Sequence, residues 1–351
     1  MTPPAAARER LDRLWARGRA FLGVELPIMG GAMTWVSERN LVAAITNAGG
    51  FGVIACGSMD PDRLREEIRA TRALTAGPFG VNLIVMHPDL LALARVCCDE
   101  RVGHVVLAGG LPPGESLALL RAGGCRVMAF APALSVARKL RRSGIDGLVI
   151  EGSEAGGHVG AVSTSVLAQE ILPHIHDLPV FVAGGIGRGE AMMAFLEMGA
   201  AGVQLGTRFV CASESIAHAR MKQAYLRAAA RDAVPSPQLD PRFPVIPVRA
   251  LVNAGTARFV EIQRDVIARF DRGDLTRDQA QLAIEHFWAG ALRRAVIDGD
   301  VENGSLMAGQ SVGMVTREQP VREIMDELVA QALSQIGSGG DPAAAPRSRG
   351  A

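Results

Sequence analysis

Eight short apolar runs recur along the first two-thirds of the chain: Leu26 to Met29, Gly52 to Ala55, Phe79 to Leu83, His104 to Leu107, Arg126 to Ala129, Gly147 to Ile150, Pro179 to Ala183 and Gly202 to Leu205. Apolar and polar residues do not alternate within them, the pattern of parallel strands buried on both faces. The segments between read as helices. Asp60 to Leu74 is typical, with an Asp cap, a proline in the first turn and its charges on one side. Strand and helix alternating in this way predict an α/β fold, a TIM (β/α)8 barrel; an open, doubly wound sheet shares the spacing, because periodicity does not see closure.

The 351 residues exceed the ~250 of a typical single barrel, and the surplus follows the eighth strand. Cys211 to Arg231 and Thr256 to Ile297 read as helices separated by a proline-bearing stretch, Val234 to Val248. The predicted organisation is a barrel over 1–212, a smaller helical lid domain inserted at 213–297, a segment returning to the barrel at 298–336, and a disordered tail at 337–351.

Composition narrows the function. With 48% hydrophobic and 21% charged residues the chain can bury a large core. A net charge of +1 provides no basic field for nucleic acid or a lipid surface, which leaves a small molecule as the expected partner. Five cysteines without metal-type spacing, two of them vicinal (Cys97 and Cys98), point to a reducing compartment. The N-terminus lacks the features of a secretory signal, and no apolar stretch reaches the ~18 residues of a membrane span, so a cytoplasmic location is expected.

Chemistry is expected at the C-terminal ends of the strands. There His158 sits in Glu151-Gly-Ser-Glu-Ala-Gly-Gly-His-Val-Gly, the only histidine on a strand-terminal glycine loop. An imidazole near neutral pH can donate, accept or move a proton. Two glycine turns end the last strands, Gly184-Gly185 after the seventh and Gln204-Leu205-Gly206-Thr207 after the eighth, where barrels commonly hold a phosphate on backbone amides. Glycines also serve tight turns, and that reading stays open. Small residues around Ala32 and Met33 after the first strand, with Asn82 at the end of the third, would suit the ring and pyrimidine edge of a flavin. Zinc motifs, a serine-hydrolase elbow and an early dinucleotide fingerprint are missing from the sequence, and neither Lys139 nor Lys222 ends a strand where a Schiff base would form. A phosphate-binding barrel without redox chemistry is the distant alternative.

Pro-Ile-Met-Gly-Gly-Ala-Met-Thr-Trp-Val, Asn-Ala-Gly-Gly-Phe-Gly, Pro-Phe-Gly-Val-Asn-Leu, Glu-Gly-Ser-Glu-Ala-Gly-Gly-His-Val-Gly, Ala-Gly-Gly-Ile and Gln-Leu-Gly-Thr-Arg-Phe together resemble the nitronate monooxygenase family, formerly 2-nitropropane dioxygenases. The resemblance runs from about Leu26 to Leu333. It implies an FMN-dependent barrel that oxidises alkyl nitronates with O2 to carbonyl compounds and nitrite. The same superfamily holds FabK-type enoyl-acyl-carrier-protein reductases and NAD(P)H:quinone reductases, the alternative activities. The resemblance places FMN contacts on Ala32, Met33, Asn82, Glu151, Gly156, Gly184, Gly185, Gln204, Gly206 and Thr207 and the catalytic role on His158, with NAD(P)H as a further partner and a homodimer as the assembly. Two positions depart from the nitronate monooxygenase pattern: Glu151 and Gly30 stand where Gln is common. Residues 299–310 are closer to the enoyl reductase branch.

Overall fold

A computed structural model describes residues 5–243 and 246–337. The proposed tail therefore falls outside the described residues from 338 onward; Gly337 closes the last helix. Eight parallel strands form the barrel: β1 (Ile28–Gly30), β2 (Val53–Ala55), β3 (Gly80–Ile84), β4 (His104–Ala108), β5 (Arg126–Phe130), β6 (Gly147–Glu151), β7 (Val180–Ala183) and β8 (Gly202–Leu205). Neighbours in sequence are neighbours in space, and β1 pairs with β8 through Met29 opposite Gln204. Closure between β1 and β2 runs through Phe51, just ahead of β2: its N–H donates to the Ile28 carbonyl (3.0 Å), and its own carbonyl accepts from Gly30 N–H (2.9 Å). The apolar runs are thus the staves of a TIM barrel.

The helices between strands show why the sequence starts them where it does. Asp60 accepts from the Arg63 N–H (2.8 Å) and Pro61 occupies the first turn of helix Pro61–Leu74, whose Leu64 and Ile68 are fully buried against the barrel. Inside the barrel a separate cluster, including Met29, Val53, Val106, Met128, Val149, Phe181 and Ala183, fills the lumen. Its N-terminal end is stopped by Phe21 and Leu22 of helix Ala16–Leu22, with the His104 ring edge-on to both Phe21 (5.2 Å) and Phe51 (5.1 Å).

After β8 the structure is more broken than the predicted run of helix. Cys211 to Glu214 form turns around Ala212, which bridges to Gln319, and the helix begins at Ala219, where His218 accepts from Arg220 N–H (3.1 Å). The proline-bearing stretch supplies strands Ala233–Pro235 and Val248–Leu251. Helices Ala254–Asp271 and Arg277–Arg293 follow, parted by Gly273 in left-handed backbone (φ 82°) and restarted by Thr276 and Gln279 capping each other. They enclose their own apolar cluster around Phe243, Phe259, Val266 and Ile284. Helix Val321–Gly337 returns to the barrel, where Arg208, 3% exposed, reaches the Glu327 carboxylate (2.8 Å) and the Met314 carbonyl (2.9 Å).

Candidate active site

Strand alternation decides which side chains face the mouth. Val149 belongs to the lumen cluster, so Glu151, two residues further along β6, points the same way. Gln204 lies beside Met29 and Ala183, and Asn82 beside Val106, all three of them lumen residues. Asn82, Glu151 and Gln204 are therefore inward-facing polar side chains at the C-terminal end of an otherwise apolar interior. Asn82 is oriented by donating one amide N–H to the Val106 carbonyl (3.0 Å). Glu151 accepts no hydrogen bond from any described residue, and burial pushes its carboxyl up to about 7.

Around this rim the glycine turns meet one another. Gly31 N–H donates to the Leu205 carbonyl (2.8 Å), and Met33 overlies Gly206, where an added Cβ would lie 3.5 Å from the Met33 sulfur. Ser37 ties the first loop together, donating to the Gly31 carbonyl (2.7 Å) and accepting from Met33 N–H (3.0 Å). Gly184 (φ 95°) and Gly185 (φ 72°) take left-handed backbone. A Cβ on Gly184 would come within 3.0 Å of the Gly152 carbonyl and the Thr164 hydroxyl, so only glycine fits without displacement. The backbone N–H groups of Gly185, Gly206 and Thr207 have no acceptor among the described residues. Such unanswered donors gathered on two adjacent strand ends are what an anion needs.

His158 lies on an exposed turn that is itself a short strand. Gly157–His158 pairs antiparallel with Val248–Leu251, which pairs in turn with Ala233–Pro235. The loop beneath is braced from several sides. The Glu154 carboxylate accepts from the N–H (2.8 Å) and hydroxyl (3.0 Å) of Thr164, at the start of helix Thr164–Ile171, and Arg249 donates to the Ser153 carbonyl (2.8 Å). Beside β1 and β2 a cavity of about 670 Å³, in the size range of ligand pockets, is lined by Trp35, Ser37, Ala55, Met59, Ile216 and Arg293 among others. Trp35 takes a left-handed φ of 68°, strained for a bulky residue, with the Arg293 guanidinium 5.9 Å from its ring.

Known proteins match this frame along nearly its whole length. A family model for nitronate monooxygenase matches residues 17–97 and 91–331. The chain belongs to the nitronate monooxygenase family. It is an oxidoreductase of that type. Nitronate monooxygenase of Paraburkholderia phytofirmans is 28% identical over 370 residues, 90% of this chain and 95% of the relative. The (3aS,4S,5R,7aS)-5-hydroxy-7a-methyl-1-oxo-octahydro-1H-indene-4-carboxyl-CoA dehydrogenase of Rhodococcus jostii is 30% identical over 340 residues, again 90% of this chain and 95% of the relative. The structure of FabK from Thermotoga maritima superposes with a TM-score of 0.81 at 35% identity, covering 91% of this chain and 96% of that one.

Within this nitronate monooxygenase family barrel, the residues singled out from sequence take different places. Asn82, Glu151 and Gln204 share the lumen rim; Ala32, Met33, Gly206 and Thr207 share the seam between β1 and β8. Gly156 is occupied by protein: a Cβ there would lie 2.5 Å from Gly309 N. The Thr207 hydroxyl likewise accepts from Gly309 N–H (2.9 Å). The segment around Gly309 thus clasps both sides of the mouth, and Gln310 N–H reaches the Glu154 carbonyl (2.9 Å). Ser37, Glu154, Thr164 and Arg249 were not singled out from sequence. Each acts on a partner that no local pattern announces; for Glu154 and Thr164 that partner is ten residues away.

Proposed function

We propose that the mouth binds FMN, with the phosphate on the amides of Gly184, Gly185, Gly206 and Thr207 and the ring toward Asn82, Glu151 and Gln204. The observation that carries this reading is the set of unanswered amides standing beside inward polar side chains on an apolar barrel. Ala32 and Met33 would border the ring from the β1 side, while Gly156 would contribute by keeping the loop low under Gly309. Bound there, a flavin supplies electron transfer between an organic substrate and oxygen.

The chain's own residues would do the rest. His158, exposed at the rim on a strand anchored by Val248, would hold or move a proton or pair with a substrate anion. Asn82 would present a pre-oriented amide, one of its N–H groups being fixed on Val106. The leading reaction is oxidation of an alkyl nitronate to a carbonyl compound and nitrite. A second reading, reduction of an enoyl thioester at the expense of NAD(P)H, is favoured by the CoA-thioester name of the Rhodococcus relative and by the 35% identity to FabK of Thermotoga maritima.

Purified protein should be yellow, and anaerobic rapid mixing separates the two readings. Bleaching by an alkyl nitronate, but not by NADH or NADPH, supports the first. Bleaching by a nicotinamide donor with no response to nitronate supports the second. Colourless protein that takes up no added FMN would sink both.

A further inference from the structure

We infer that Glu151 works as a neutral carboxylic acid, an O–H donor aimed into the barrel mouth, and not as a carboxylate. Only the identity of its ligand rests on the flavin reading; the protonation state rests on the geometry around β6.

The strand register fixes where the side chain points and what stands beside it. Glu151 lies opposite Ala183 of β7. On its other flank, β5 ends in Phe130, opposite Val149, and continues into Ala131, whose N–H donates to the Val149 carbonyl. Both flanks are apolar. The other inward polar groups at this level, Asn82 and Gln204, are amides and carry no charge. No described residue donates a hydrogen bond to the Glu151 carboxyl.

Each charged or titratable group on the surrounding elements lies away or is already engaged. Arg126 sits at the opposite end of β5, and Asp146 precedes β6 at that same far end, accepting from Val127 N–H (2.8 Å). No residue of β7 titrates. Glu170, on the helix packed outside β6, accepts from Leu134 N–H (3.2 Å). In the loop, Glu154 is held by Thr164, and Arg249 spends its guanidinium on the carbonyls of Ser153 (2.8 Å) and Ala233 (2.5 Å). His158 lies at the exposed end of the loop. A carboxylate at 151, half-buried at the mouth, would thus be partly desolvated without a counter-charge, and a ligand entering the mouth would remove the remaining water.

An acid offers one donor and one acceptor, as a primary amide of the same shape does, but only while it keeps its proton. A ligand presenting an acceptor to Glu151 should therefore bind more weakly as pH rises past neutrality, whereas with Glu151→Gln the binding should lose that dependence.

Isotope-edited infrared spectroscopy of the ligand-free protein carrying 13C-labelled glutamate tests the protonation directly. A protonated-carboxyl stretch is expected near pH 6 and not near pH 8.5, well above the usual glutamate range. It should vanish in Glu151→Gln and persist in Glu38→Gln, which removes the other glutamate that burial pushes up. Carboxylate bands alone near pH 6 in the wild type would overturn the inference. The second measurement is FMN affinity from fluorescence quenching: roughly tenfold weakening between those pH values in the wild type and none in Glu151→Gln. Equal weakening in both proteins would also count against it. If FMN does not bind at all, the flavin reading fails while the infrared result still decides the state of Glu151; should Glu151→Gln not fold, the wild-type and Glu38→Gln spectra decide it.

Discussion

At the N-terminal end of the barrel Phe21 and Leu22 close the lumen, and the His104 Nε2 meets the Phe21 carbonyl at 2.9 Å; at the C-terminal end Asn82, Glu151 and Gln204 face an open mouth. Both ends carry a titratable side chain in an apolar setting, and burial acts on them with opposite sign. It lowers the His104 imidazole, favouring its neutral form, and raises the Glu151 carboxyl to about 7. The closed end uses neutrality to pack. The open end uses it to leave a donor unspent. Stability and function are therefore stored at opposite ends of one set of strands.

That division can be broken by experiment. The largest effect should come from the packed lumen: Phe181→Ala removes a fully buried ring next to Phe21 and should cost roughly 3–5 kcal/mol in urea unfolding. A loss below about 1 kcal/mol would mean that the lumen is not where stability resides. His158→Ala should do the reverse, costing less than about 1 kcal/mol in urea unfolding because the residue is exposed, while turnover falls by roughly 10²-fold or more. Unchanged turnover would assign the imidazole a role in the small sheet alone.

The smallest effects sharpen the opposition in sign. Because the folded Glu151 carboxyl titrates above its unfolded value of 4.5, the folded state holds the extra proton, and stability falls as pH rises between about 4.5 and 7. Glu151→Gln should remove that loss and gain up to about 3 kcal/mol over wild type above pH 7. His104 runs the other way: its folded pKa lies below 6.5, so its contribution is present above that value and is lost as pH falls. Replacing it with Gln, which can still donate to the Phe21 carbonyl, should flatten the acid limb of the stability profile. Two curves that bend in the same direction would contradict the contrast between the ends.

Much of the frame could be read from sequence because parallel strands buried on both faces are continuous apolar runs, and all eight appeared within a residue or two of their observed positions. Closure could not, since it depends on Phe51, which precedes its strand and bonds to β1 instead. Asn82, Gln204 and the glycine turns stood out as polar or glycine residues at strand ends. The strand at Gly157–His158 was hidden for the opposite reason: two residues have no periodicity, and their partner lies some ninety positions on, across a proline-bearing stretch. The clasp at Gly309 was equally silent, as its partners are Gly156 and Thr207, far apart along the chain.

The pairing of His158 with Val248 has a mechanical meaning. The imidazole is hung from the appended lobe by main-chain bonds, while the turns at Gly184, Gly185 and Gly206 belong to the barrel staves. A tilt of that lobe would shift His158 against the glycine turns at the barrel's strand ends, so the spacing between the two is set by how the lobe is seated.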